Sequence, residues 1–205
     1  MKTTIILVAA LLCISPAGRA ATRTLTITAI RALPTGALST HARRDTQPTA
    51  SEVVKEACTE AAASHKKVMI LFHASWCKWC HKLDTLMANP ECKSLFDRSY
   101  VIRHLTIAES PGKRNLENPG AQELYEKYAD ANAGIPFFLI LTPDGTVIAD
   151  SRIKPVGAKP GSSGANIGYP ASKEEVGYFL RVLHETTSLT PAQLRTIRDK
   201  LSIPA

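Results

Sequence analysis

The chain has 205 residues, of which 21% are charged and 6% aromatic, with 25 basic residues against 18 acidic ones and a net charge of +7. That length holds one domain with extensions and is tight for two. The basic residues are dispersed and form no stripe interleaved with aromatics, so no nucleic-acid partner is expected.

Residues 1–20 read as a signal peptide. Lys2 opens it, Ile5 to Ile14 is a short apolar core, and Gly18-Arg19-Ala20 offers the small residues a signal peptidase reads, with cleavage after Ala20. The core is too short to cross a bilayer as a helix, and Cys13 follows Leu12 where a lipoprotein signal needs a small residue. No stable membrane anchor is therefore expected, and the location is periplasmic or secreted. Residues 21–48 read as a linker or N-terminal extension, in which only Thr24-Leu25-Thr26-Ile27-Thr28 alternates as an edge strand would.

Thr49 with Glu52 forms a capping box, and Val54, Cys58 and Ala61 recur at helical spacing up to a basic end at His65-Lys66-Lys67. Val68-Met69-Ile70-Leu71-Phe72 is a buried strand that runs through His73-Ala74-Ser75-Trp76 into Cys77-Lys78-Trp79-Cys80-His81. Apolar positions at Leu83, Leu86 and Met87 put Cys77 at or just before a helix start and Cys80 one turn inside it. The first amides of a helix lack intrahelical partners and the dipole there is positive, which favours a thiolate at Cys77. Lys78, His81 and Lys82 add positive charge. Cys80, deeper in the helix, is the natural resolving thiol.

Asn89-Pro90 breaks the helix, and Cys92, Leu95 and Phe96 continue on a short helical segment. Tyr100 to Ile107 reads as the next strand, with His104 satisfied by a neighbour, and Ser110 to Asn115 as a loop. Asn118-Pro119 has the chemistry of a helix start, followed by Leu124, Tyr125, Tyr128 and Ala129 on one apolar face. Phe137 to Leu141 is a buried strand, Pro143-Asp144-Gly145 a turn, and Val147-Ile148-Ala149 an antiparallel return.

Lys154 to Pro170, rich in glycine and proline, reads as a surface linker; the alternative is that Asn166-Ile167-Gly168-Tyr169-Pro170 lies along the dithiol edge and contributes to a substrate groove. Ser172 with Glu175 caps a helix with Val176, Phe179, Leu180 and Leu183 inward. Thr190-Pro191 with Gln193 starts another on Leu194, Ile197 and Leu201. Cys58 and Cys92 read as small buried hydrophobes, with a second disulfide as the alternative.

Cys77-Lys78-Trp79-Cys80-His81 also spells the attachment sequence of c-type haem, with His81 as proximal ligand. A carrier of copper or zinc would use Cys77, Cys80 and His81, with His73 as a further candidate ligand. A Soret band tests the first alternative and metal titration of the reduced protein the second.

The run from Phe72 to Cys80 resembles the thioredoxin superfamily's strand, aromatic and Trp-Cys-x-x-Cys signature, and Gly134-Ile135-Pro136-Phe137 is similar to that family's cis-proline loop. The resemblance covers roughly Thr49 to Thr186. It implies an α/β thioredoxin-like fold over residues 49–187, a central mixed sheet flanked by helices, with residues 188–205 as a C-terminal helical appendage. It also implies exchange of a Cys77–Cys80 dithiol with protein thiols and disulfides, a redox partner protein, and no cofactor or metal. Trp76, Ile135 and Pro136 would meet the substrate, the backbone of Ile135 pairing with an extended segment. Two departures stand out. Leu71 occupies the place of a buried acid that serves proton transfer in small thioredoxins, leaving His81 or His73 as substitutes. Lys78-Trp79 is neither the Gly-Pro of thioredoxins nor the Pro-His of strong periplasmic oxidants.

Overall fold

Alternation along Val68 to Phe72 sends three side chains to one face of a strand and two to the other, and both sets are buried. A strand apolar on both faces must be covered by helices on both sides. The computed structural model describes residues 47–130 and 133–201. The expected signal peptide, its cleavage site and the Thr24–Thr28 strand lie outside them.

The central strand β1 (Lys67–His73) is preceded by α1 (Ala50–Ser64) and followed by α2 (Lys78–Ala88), α3 (Pro90–Ser99) and β2 (Tyr100–Thr106). After α4 (Ala121–Tyr128) come β3 (Phe137–Leu141), β4 (Val147–Asp150), α5 (Lys173–Thr186) and α6 (Pro191–Lys200). The sheet order is β2-β1-β3-β4; β1 runs parallel to β2 and antiparallel to β3, which is antiparallel to β4. This is the expected mixed sheet flanked by helices.

On one face, Met69, Leu71, Phe138 and Ile140 meet side chains of α2, α3, α5 and α6. On the other, Val68, Ile70, Phe72, Phe137 and Leu139 meet α1 and α4. Each such side chain contributes roughly 1.5–3 kcal/mol of burial. The C-terminal helix α6 shares the first core through Ile197, with Leu201 just beyond its end.

The capping boxes at Thr49/Glu52, Ser172/Glu175 and Thr190/Gln193 all form, each worth about 1 kcal/mol to its helix. Helix α1 ends at Ser64, with His65 in the left-handed conformation at φ 55°. Cys58 and Cys92 are both free thiols, packed against opposite cores. Burial pushes each thiol up from its ordinary range, with Asp144 adding to it for Cys58 and Glu91 for Cys92, so neither is a ready nucleophile.

Two expectations are corrected. Helix α4 starts at Ala121, not at Asn118-Pro119. The Asn118 amide joins distant segments instead: Oδ1 accepts from the Thr106 N–H at 2.8 Å and Nδ2 donates to the Pro48 carbonyl at 2.9 Å. Gly120, at φ 80°, then takes the cap position.

Nor is Lys154 to Pro170 a free linker. Ile153 N–H donates to the Ala165 carbonyl and Ile167 N–H to the Ser151 carbonyl, so residues 165–167 pair antiparallel with residues 151–153. Gly164 allows this approach, because a Cβ there would stand 2.2 Å from the Ile153 carbonyl oxygen. The first half of the segment folds around Asp150, whose carboxylate accepts from the N–H groups of Arg152 and Gly161 and from the buried Lys154 ammonium.

Candidate functional site

Strand β1 ends at His73, and the chain turns through Ala74, Ser75 and Trp76 into α2, of which Cys77 is the N-cap. A Cys77 N–H donating to the Ala74 carbonyl at 3.0 Å closes the turn. Cys77 Sγ accepts from the Cys80 N–H at 3.1 Å, so the sulfur occupies the place an Asn or Ser oxygen takes at other helix starts. The two cysteines are joined as a disulfide with Cα atoms 5.3 Å apart. Both are buried and pack with Ala74 and the side chain of Ile135.

Opposite lies the loop between α4 and β3. The Ile135–Pro136 peptide bond is cis, and the Ile135 carbonyl oxygen stands 3.7 Å from Cys77 Sγ. The structure thus brings together Cys77, Cys80, Ile135 and Pro136 from segments almost sixty residues apart. Trp76 and Trp79 flank the sulfurs and stay about half exposed, at 53% and 49%. The Trp76 ring is fixed by Nε1–H donating to the Ala108 carbonyl at 2.9 Å. Trp79 stacks on Tyr169 with ring centres 5.8 Å apart, and the Lys82 ammonium sits 4.2 Å above the Trp79 ring.

A groove of about 280 Å³ runs from Trp79 past Ile135 and Pro136 to Asn166, Gly168 and Tyr169. Asn166, Ile167, Gly168 and Tyr169 in its wall come from the 154–170 segment, the alternative the sequence offered for that stretch. Asn166 Nδ2 donates toward the carbonyls of Ala133, Gly134 and Pro136 at 2.7, 3.2 and 3.0 Å.

The two candidate proton-transfer histidines each have a hydrogen-bond partner. His81 Nε2 lies 3.1 Å from the Ser75 carbonyl oxygen. His73 Nε2 lies 3.1 Å from Thr106 Oγ1, its ring 4.8 Å from that of His104, which in turn bonds Asp84. Burial first, and then the neighbouring His104, hold the His73 pKa below its ordinary 6.5. Leu71 is buried in the apolar core, as its place in β1 requires.

One acid near the dithiol was not read from the sequence. Glu109, buried just beyond β2, accepts from the Ser75 N–H at 2.5 Å and from the Ser75 hydroxyl at 2.8 Å. Burial opposes its ionisation, but the hydrogen bonds from Ser75, the Lys113 charge and a backbone hydrogen bond from Ser110 together outweigh it and hold the carboxyl below the usual range. The neighbouring Ala108 sits at φ 53°, a strained value for a residue with a Cβ. Only its distance along the chain from the cysteines hid Glu109: the residue lies 34 positions from Ser75. Among the described residues no three His, Cys, Asp or Glu side chains converge as a metal-binding group. No helix among them is long and apolar enough to cross a membrane.

Residues 49–143 match the family model described as thioredoxin-like. Similar solved structures include a disulphide isomerase from Xylella fastidiosa Temecula1, at 27% identity over 49% of this chain and 72% of that one, with a TM-score of 0.40. The DsbH oxidoreductase aligns at 17% identity over 75% of this chain and 94% of its own, with a TM-score of 0.39. A thioredoxin from Thermus thermophilus aligns at 22% identity over 63% and 80%, with a TM-score of 0.38. No curated protein sequence matches the chain.

Proposed function

We propose that this chain, whose residues 49–143 match a thioredoxin-like family model, is an exported thiol-disulfide oxidoreductase acting on protein substrates. The observation that carries the reading is the Cys77–Cys80 pair at the start of α2, facing the backbone of Ile135 across 3.7 Å. The leader read over residues 1–20 supports a periplasmic or secreted location, where such a pair works on exported proteins.

In the reductive direction the Cys77 thiolate attacks one sulfur of a substrate disulfide. A bond forms between Cys77 and that sulfur, and the other substrate sulfur leaves as a thiolate. Cys80 loses its proton and attacks Cys77 Sγ, which forms the Cys77–Cys80 disulfide and releases the second substrate thiolate. Two electrons have passed from the dithiol to the substrate. The reverse sequence oxidises a substrate dithiol, and in either direction a thiol or disulfide partner protein resets the site.

The Cys80 N–H aimed at Cys77 Sγ, together with the helix dipole, favours the thiolate by about 0.3–1 kcal/mol for the dipole alone. The exposed faces of Trp76 and Trp79 provide contact area for the client. Ile135 presents its backbone to an extended client segment beside Pro136. Proton transfer from Cys80 falls to His81, one residue away, or to His73 at the strand end.

Insulin reduction in the presence of dithiothreitol tests the reading. The wild-type protein accelerates it and Cys77→Ser abolishes the acceleration. Full activity in Cys77→Ser refutes the assignment.

A further inference from the structure

Resting on that reading, we infer that Asn166 is a positioning residue that sets the affinity for protein substrates by fixing the backbone on both sides of Ile135. Its side-chain amide carries two hydrogens and faces three carbonyls, those of Ala133, Gly134 and Pro136. The other end of the amide decides its orientation. Oδ1 accepts from the Ser151 hydroxyl at 2.7 Å and from the Gly168 N–H at 3.2 Å. The Ser151 hydroxyl oxygen accepts from the Phe138 N–H at 3.1 Å, so its own hydrogen is free for Asn166. Two donors at the oxygen and three acceptors at the nitrogen admit only one arrangement.

The consequence appears at Ile135. The carbonyls before and after it, of Gly134 and Pro136, are tied toward Asn166, and that of Gly134 is held a second time by the Tyr125 hydroxyl at 3.1 Å. The Ile135 carbonyl points the other way, toward Cys77 Sγ. Among the described residues no hydrogen bond engages the Ile135 N–H. The alternation is that of a strand edge with one free residue, which is what an extended peptide pairs with. Asn166 touches neither sulfur, so its effect reaches the chemistry only through the placement of the client.

Asn166 stands where it does because residues 165–167 pair with residues 151–153, and because Gly168 adopts φ 52°, a left-handed value that favours glycine, in the turn beside Pro136. The segment 154–170 is therefore the frame that carries the clamp.

The test separates binding of a client from reactivity of the dithiol. Asn166→Asp keeps an acceptor for Ser151 and Gly168 and removes the donor. It is expected to raise KM for insulin by about tenfold, the scale of a lost hydrogen bond to a buried carbonyl. The rate at which the reduced protein reacts with oxidised glutathione should stay within about twofold, because that probe does not need the strand edge. Ser151→Ala removes the hydrogen bond that orients the amide and should raise KM by about threefold with the glutathione rate again unchanged. It also serves as the readout should Asn166→Asp fail to fold.

An unchanged KM in a folded Asn166→Asp, or in Ser151→Ala if that protein alone folds, overturns the inference. So does a glutathione rate that falls in step with insulin turnover. A Cys77→Ser control that keeps insulin activity overturns instead the reading on which the inference rests.

Discussion

The Cys77 sulfur faces the carbonyl oxygen of Ile135 at 3.7 Å, although the two residues lie 58 positions apart. Strand β1 delivers the first and the turn into β3 the second, and these strands are neighbours in the sheet. A client chain paired with residue 135 would lie across the sulfurs with little further motion, which is where a disulfide must sit to be attacked.

The exposed indole of Trp76 is held rigidly by its bond to Ala108 and adjoins Cys77. Trp76→Ala should lower kcat/KM for insulin by about tenfold, the effect of losing an aromatic contact worth roughly 1–2 kcal/mol. Steady-state insulin reduction checks it, and the melting temperature should change little.

Glu109 ties the turn before the dithiol to the end of β2. Glu109→Ala leaves the Ser75 N–H without its partner and should destabilise the fold by about 1–3 kcal/mol in urea denaturation. The pKa of Glu109 is depressed in the fold, so its contribution is present above the ordinary 4.5 and is lost as pH falls through the folded value. The variant should accordingly lose part of the wild type's acid sensitivity.

His73 gives a second, separate pH window. Its pKa is lowered by burial and then by His104, against opposing pulls from Asp84 and Glu109. Above 6.5 the imidazole is neutral in both folded and unfolded chains; as pH falls below that value the unfolded chain takes the proton first, so stability declines until the folded pKa is passed. His73→Phe should flatten that decline in unfolding free energy measured from pH 7 downward. A decline identical to that of the wild type would contradict the attribution.

Asp150 is fully buried with the Lys154 side chain nearly so, and the carboxylate also holds Gly161. Asp150→Ala leaves a buried ammonium uncompensated and should cost about 3–5 kcal/mol in denaturant unfolding. Because the same carboxylate organises the segment that carries Asn166, the variant should also bind insulin less well.

What the sequence made legible follows from the range of the interactions involved. Strand β1, the N-cap at Cys77 and the three capping boxes rest on residues within a few positions of one another, and all form as expected. The start of α4 is not legible locally because Asn118, which looks like a cap, bonds Thr106 and Pro48, 12 and 70 positions away. For segment 154–170 the choice between linker and groove wall is not legible for a similar reason. Its glycines and prolines exclude a helix but say nothing of where the chain lies, and that is decided by Asp150, Ser151 and the carbonyls near Pro136. Glu109 had no local signal at all, since its partner Ser75 comes from another strand end.

The account stands most directly on which sulfur meets the client first. In a reduced Cys80→Ser protein exposed to disulfide-bonded insulin, Cys77 should accumulate a mixed disulfide, identified by peptide mass mapping and reversed by dithiothreitol. Absence of that adduct, or its appearance on Cys58 or Cys92 instead, would contradict it.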